Sequence, residues 1–286
     1  MLFRSQSRLH PDGKLGRRAG EGTRDRRQYR FHFLSHGSPT ALSPGDCWQT
    51  LAGMNFPHKL RKLFDPEIIG SMREHIHRAF HPVSARRLQR ELEVDPSWEE
   101  LRRKYPRGIK EVHRFGDTKF WIKRNVERAQ DLSLDRGRPR HILDLGCGPG
   151  FFLYVAEKLG HTGVGLDIDE QAIFRDTLRL LKVKRVMHCI QPRFHLPAPE
   201  KKFDLITSYL TCFHRLERLR DGNWRTWSAA EWQFFIDDVR ANQLAEGGMM
   251  LLEFHPQKNG ELYPADVREL FLKNRARIFR SKVFLK

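Results

Sequence analysis

Residues 141–170 read HILDLGCGPGFFLYVAEKLGHTGVGLDIDE, and this stretch decides the fold. The run 142–145 is too short for a helix and suits a buried parallel strand. A tight loop follows, Gly146-Cys147-Gly148-Pro149-Gly150. Residues 151–159 then carry apolar side chains at helical spacing and stop at Gly160, a helix C-cap signal. A second apolar run, 164–168, carries Asp167 near its end. Strand, glycine loop, helix, strand and acid make a βαβ nucleotide-binding unit.

Each residue type answers a physical demand of such a site. Glycines let the backbone turn sharply and approach a ligand with no Cβ in the way. The helix beyond the loop offers free N–H groups and a partial positive charge. Asp167 lies 21 residues after Gly146, close to the ~20 expected of a carboxylate that binds ribose hydroxyls. Dinucleotide sites use G-x-G-x-x-G. Here the third glycine comes one residue early, and Phe151 takes the next place.

On these residues the chain resembles the class I S-adenosylmethionine-dependent methyltransferases. Residues 144–150, DLGCGPG, look like that family's first motif, and Gly165-Leu166-Asp167 looks like its second-strand acid. Residues 203–208, FDLITS, follow as a fourth strand, and 247–253, GGMMLLE, as a fifth. The resemblance covers residues 119–286 and implies a doubly wound, mostly parallel α/β sheet that binds S-adenosyl-L-methionine. It places Gly146, Gly148 and Gly150 at the amino acid end of the cofactor, with Asp144 supporting the loop and Asp167 on the ribose. Cys147, Ile168 and Ser208 complete the expected lining. Just ahead of the first strand the family often sets an aromatic residue against the cofactor, and Phe120 and Trp121 stand there. The alternative for this pair is to anchor their helix on the sheet. The acid that often follows the third strand and meets the adenine amino group is missing. The sequence reads Gln191-Pro192-Arg193, so Gln191 or a backbone carbonyl takes its place.

Composition bounds the alternatives. The chain has 286 residues, room for one sizeable domain with extensions. No 18-residue apolar run is present, which argues against a helical membrane span. Four scattered cysteines without a C-x-x-C pair argue against a zinc site or disulfide framework and fit a reducing, cytoplasmic setting. The formal charge of +17 invites a nucleic-acid reading. Its distribution weakens that reading. Residues 1–56 hold 9 basic and 4 acidic side chains, residues 57–140 hold 21 and 13, and residues 141–286 hold 22 and 18.

Residues 1–53, rich in Arg, Gly, Ser and Pro, read as a disordered basic tail, with translation from Met54 as a plain alternative. Residues 54–115 read as a helical accessory region able to cover a cleft. Asp65-Pro66 starts one helix, with Ile69, Met72, Ile76 and Phe80 on its apolar face. Ser84 caps a second with Leu88 and Leu92 inward, and Asp95-Pro96 starts a third with Trp98, Leu101 and Tyr105 on a stripe. His77 and His81 stand four apart, but no third metal ligand accompanies them, so no metal is expected. Residues 116–286 form the cofactor-binding domain, opened by Gly116-Asp117-Thr118 and a helix from Lys119 to about Leu132.

Further on, Asp169 is expected to cap the helix whose buried face is Ile173, Phe174, Thr177 and Leu181. A third strand is expected over residues 185–190. The fourth ends in Ser208-Tyr209-Leu210-Thr211-Cys212-Phe213-His214, which should face the substrate, because the crevice lies at the C-terminal ends of the strands. Methyl transfer is an in-line displacement that needs alignment and, for a hydroxyl or amine, a proton acceptor. His214 is the base favoured by type, and Tyr209 can line the channel. Cys212 reads as a wall residue. Residues 223–227 read as a loop holding Trp224 and Trp227. Ser228-Ala229-Ala230-Glu231 is a capping box, with Trp232, Phe235, Ile236, Val239 and Leu244 at helical spacing after it. Gly247-Gly248 should end that helix. Pro264 begins the last helix, and residues 276–285 give a strand or short hairpin, so the family's seventh strand is expected to be missing or stunted.

These features point to a methyltransferase acting on a small-molecule acceptor at oxygen or nitrogen. The competitors are an RNA methyltransferase docking through the basic N-terminal half, and a non-catalytic cofactor-binding module.

Overall fold

The short apolar runs of the 141–170 stretch become the central strands of one sheet. A computed structural model of the chain describes residues 82–105, 115–211, 213–218, 224–256 and 260–286, together with Ile76 and Phe80. The basic tail, the Asp65-Pro66 helix start, the His77/His81 pair and Cys212 lie outside the described residues.

The elements in chain order are α1 (Ala85–Glu93), α2 (Ser97–Lys104), α3 (Thr118–Asp131), β1 (His141–Leu145), α4 (Phe151–Lys158), β2 (Thr162–Asp167), α5 (Ala172–Leu181) and β3 (Arg185–Met187). After these come β4 (Phe203–Tyr209), β5 (His214–Arg218), β6 (Trp224–Thr226), α6 (Ala229–Asp238), a π-turn (Val239–Gln243), β7 (Leu244–Glu253), α7 (Ala265–Lys273), β8 (Arg277–Phe279) and β9 (Lys282–Leu285). The main sheet runs β3-β2-β1-β4-β7-β9-β8. Its first five strands are parallel, and β9 is antiparallel to both β7 and β8. The expected mostly parallel α/β fold is therefore present.

Two apolar layers cover the sheet. On one face the inward residues of α3, α4 and α5 meet Leu88, Leu92, Trp98 and Leu101 of α1 and α2 in a single cluster. On the other, α6 and α7 bring Trp232, Phe235, Ile236, Val267 and Phe271 against Leu143, Ile206, Met250 and Leu252. The helix starts follow the caps. The Arg87 amide donates to Ser84 Oγ at 3.2 Å, the Phe120 amide to Asp117 Oδ1 at 2.9 Å, and the Ser228 amide to Glu231 Oε2 at 2.8 Å. Each cap satisfies donors that the first helical turn leaves free.

Several sequence expectations need correction. The C-terminal residues do supply a seventh strand. A tight hairpin at Arg280, whose φ is +52°, folds β9 back between β7 and β8. Leu244 does not continue the helix of Phe235 but opens β7, because the π-turn ends at Gln243. Gly247 and Gly248 lie inside β7, where the register with β4 shifts between Phe203 and Leu205. Asp169 does not cap α5. It pairs with Arg175 at 2.6 Å and Arg185 at 2.7 Å, and Gln191's strand, β3, stops at Met187. Residues 224–226 form a strand paired with β5 rather than a loop.

Candidate active site

The site is built at the C-terminal ends of β1, β2 and β4, where the glycine loop turns from β1 into α4. The loop is tied to the neighbouring strand. Gly146 N donates to Leu166 O at 2.7 Å, and Gly150 N donates to Cys147 O at 3.0 Å. Gly148 N donates to Asp167 Oδ2 at 2.5 Å, while Ile168 N donates to Asp167 Oδ1 at 2.7 Å. The second-strand acid thus reaches the bend itself. Burial pushes its carboxyl pKa up, offset in part by those two amides and by Arg185.

The three loop glycines all have positive φ, yet the space around them differs. A Cβ on Gly146 would collide with the Thr211 side chain, whose hydroxyl donates to Leu145 O at 2.8 Å. A Cβ on Gly150 would stand 2.5 Å from Leu178 Cδ2 of α5. Over Gly148 the nearest atoms belong to the Phe174 ring, at 3.7 Å. Gly146 and Gly150 are therefore bare to let the chain pack on itself, whereas a Cβ on Gly148 would meet the Phe174 ring only at ordinary contact distance. Cys147 turns the other way. Its buried side chain occupies the room left by the missing Cβ of Gly165, and burial raises its thiol pKa well above the ordinary value.

Beneath the loop, Asp144 is buried and accepts a hydrogen bond from Thr207 Oγ1 at 2.7 Å. Burial pushes its pKa up to about 7, against the pull of Thr207 and Arg128. Arg128 is itself buried, 3.5 Å from Glu253 Oε2 and 4.0 Å above the Tyr209 ring. Tyr209 packs edge-on against Phe152 at 4.9 Å. Its hydroxyl is buried with no hydrogen-bond partner among the described residues, and burial raises its pKa well above the usual value. His214 opens β5 with its backbone opposite Thr226, and only that backbone placement is described.

Trp121 sits in an aromatic line that starts at the loop. Phe174 meets Phe115 edge-on at 4.7 Å, Phe115 stacks on Trp121 at 5.7 Å, and Trp121 stacks on Phe151 at 6.3 Å. Phe120 is exposed beside it. Gln191 is half-buried, its carbonyl accepting from Phe194 N at 3.4 Å. Two buried polar atoms near the strand ends have no hydrogen-bond partner among the described residues: Ser208 Oγ on β4 and His188 Nε2 just after β3. His188 also donates its amide to Asp167 O at 3.0 Å. Sequence reasoning missed His188 and read Phe174 only as part of its helix's buried face, whereas the residue is half-buried beside Gly148. The signal for the histidine was its place one residue past the short run Val186-Met187. Among the described residues no group of three or more His, Cys, Asp or Glu side chains can hold a metal ion. Nor is any described helix long and apolar enough to cross a membrane.

Residues 138–231 match the family model described as a methyltransferase domain. That segment is a methyltransferase domain. No curated protein matches it. Among solved structures the methyltransferase is similar to a protein of Pyrococcus horikoshii, with 16% identity over 57% of this chain and 88% of that one and a TM-score of 0.40. It is also similar to an S-adenosylmethionine-bound amino pentose methyltransferase from Micromonospora echinaspora, at 25% identity over 46% of this chain and 50% of that one, TM-score 0.34. A third is a glycopeptide N-methyltransferase complexed with sinefungin, at 18% identity over 47% and 54%, TM-score 0.34. The chain spans about half the length of the latter two.

Proposed function

We propose that this methyltransferase holds S-adenosylmethionine against the 146–150 loop and methylates a hydroxyl or amine on a small molecule. The observation that carries the reading is the meeting of Asp167 with Gly148, the loop glycine at which a Cβ would meet no clash, only the Phe174 ring at 3.7 Å. The bare glycine fits a ligand that must approach backbone closely, and the carboxylate beside it fits a partner with hydroxyl donors. When bound, the cofactor supplies an electrophilic methyl group on a sulfonium. The chain's own residues do the rest: Gly148 and Asp167 grip, Asp144 ties β1 to β4 through Thr207, and Phe174 lines the ground beside Gly148.

The two orphaned polar atoms extend the proposal. Ser208 Oγ takes a polar group beside the loop, and His188 supplies the polar contact for the base that the missing acid does not. For the acceptor, half-buried Phe213 beyond the end of β4, held in place by the buried Trp227 and Trp232, offers an aromatic face suited to a flat ring. His214, next to Phe213, keeps the role of base. Tyr209, with its hydroxyl buried against the core, is assigned a packing role under Arg128 and no proton transfer.

Calorimetric titration tests the cofactor half of this reading. S-adenosylmethionine should bind the wild type, and Asp167→Ala should weaken binding by about a hundredfold, the loss of two charge-assisted hydrogen bonds. Equal binding by the variant rejects the assignment. Release of S-adenosylhomocysteine on incubation with small-molecule fractions separates an enzyme from a binding module.

A further inference from the structure

At the end of the sheet opposite the glycine loop lies a depression of about 910 Å³. It is lined by Arg240, Lys273, Arg275, Arg277 and Lys286, with an amide, a methionine and a phenylalanine, and by no Asp or Glu side chain. Some cations elsewhere are paired, Lys104 with Asp176, Arg124 and Arg128 with Glu253, Arg185 with Asp169 and Lys282 with Asp131. Here Lys273, Arg275 and Lys286 are exposed, with no carboxylate partner among the described residues. Arg240 is held in place by Asn274 Oδ1 at 2.6 Å and by the Lys286 carbonyl at 2.9 Å. Residues 141–286 carry only four more basic than acidic side chains, so gathering five cations here leaves the rest of that domain near neutrality.

The cations continue along β8, the last strand of the sheet. The Arg277 guanidinium lies 4.7 Å over the Phe284 ring, and Arg280 lies 5.3 Å over Phe279, whose side chain is 55% exposed. A row of guanidinium groups suits phosphates, which they grip as a fork. An open aromatic face suits an unpaired base. An acidic peptide would satisfy the charges and leave Phe279 unused. We propose that the β8 edge and the depression beside it form a docking surface for single-stranded nucleic acid. The surface lies away from the cofactor loop, and the inference concerns binding alone, whichever acceptor takes the methyl group.

Fluorescence anisotropy of the full chain with a labelled twelve-nucleotide oligoadenylate, in RNA and DNA forms, tests this. Arg275→Glu/Arg277→Glu should weaken binding at least about tenfold and flatten the salt dependence by ~0.7 in log–log slope for each phosphate no longer neutralised. Phe279→Ala should weaken it about fivefold with the slope unchanged. Preference for one sugar in the wild type assigns the partner as RNA or DNA. The inference is overturned if the double variant binds like the wild type, which would move binding to the basic N-terminal residues. It is also overturned if polyglutamate displaces the oligonucleotide as well as unlabelled RNA does. S-adenosylmethionine titration of each variant, expected to match the wild type, shows that the fold is retained. Should the double variant fail that control, Lys273→Ala/Lys286→Ala carries the same expectation in smaller measure, and unchanged binding there overturns the inference equally.

Discussion

The two ends of the sheet treat charge in opposite ways. At the loop end, acids are buried and answered: Asp167 by two amides, Asp144 by Thr207, Glu253 by two arginines. At the far end, cations are exposed and stand without carboxylates among the described residues. Buried charge must be paired, or it costs more than the fold can supply. Exposed like charges cost little in water and remain available to a polyanion. The contrast supports the two proposals, a small ligand with defined donors at the first end and a long one with many phosphates at the second.

Within the loop end, substitution can break this account or sharpen it. The largest effect is expected at Gly150. Alanine there combines left-handed backbone strain with a Cβ 2.5 Å from Leu178, a loss of about 3 kcal/mol. Thermal unfolding should show a fall in Tm of roughly 10 °C. Gly148→Ala meets no such clash, so its fall should be ~3 °C while S-adenosylmethionine affinity drops by about tenfold or more. Equal losses of stability in the two variants would erase the distinction between packing glycine and ligand-facing glycine.

A smaller effect concerns Asp144. Its folded pKa of about 7 stands above the unfolded carboxylate value, so the folded chain binds the extra proton between about pH 4 and 7. Its stabilising contribution is fully present below that window and is lost as pH rises through about 7. The Tm of the wild type relative to Asp144→Asn should accordingly fall from pH 4.5 to pH 8. A difference that is flat with pH, or that rises, would mean that Asp144 is ionised throughout.

The loop end was the more legible in sequence, for physical reasons. Strands β1, β2 and β4 are central and parallel, so their apolar runs are continuous, and the turn between β1 and α4 needs glycine at fixed places. Caps such as Ser84, Asp117 and Ser228 are local signals and carried over unchanged. What local pattern did not carry was long-range. Met187 on the edge strand β3 is 68% exposed, so the end of that strand had no apolar boundary to mark it. β5 and β6 pair only with each other, and the charged sequence His214-Arg215-Leu216-Glu217-Arg218 has no clean alternation. Neither the orphaned His188 nor the reason for each glycine was visible, because both depend on neighbours supplied by α5, β2 and residue 211. The cations of the far end were counted in the sequence. Their gathering comes from the hairpin that folds β9 between β7 and β8.

The difference between the two ends can be read at the backbone in one titration. Amide ¹⁵N chemical shifts followed during addition of S-adenosylhomocysteine should move most at Gly148 and Ile168, the two amides bound to Asp167, and hardly at all over residues 273–280. Saturating product that leaves Gly148 and Ile168 in place, or that moves residues 273–280 instead, would contradict the site assigned to the glycine loop.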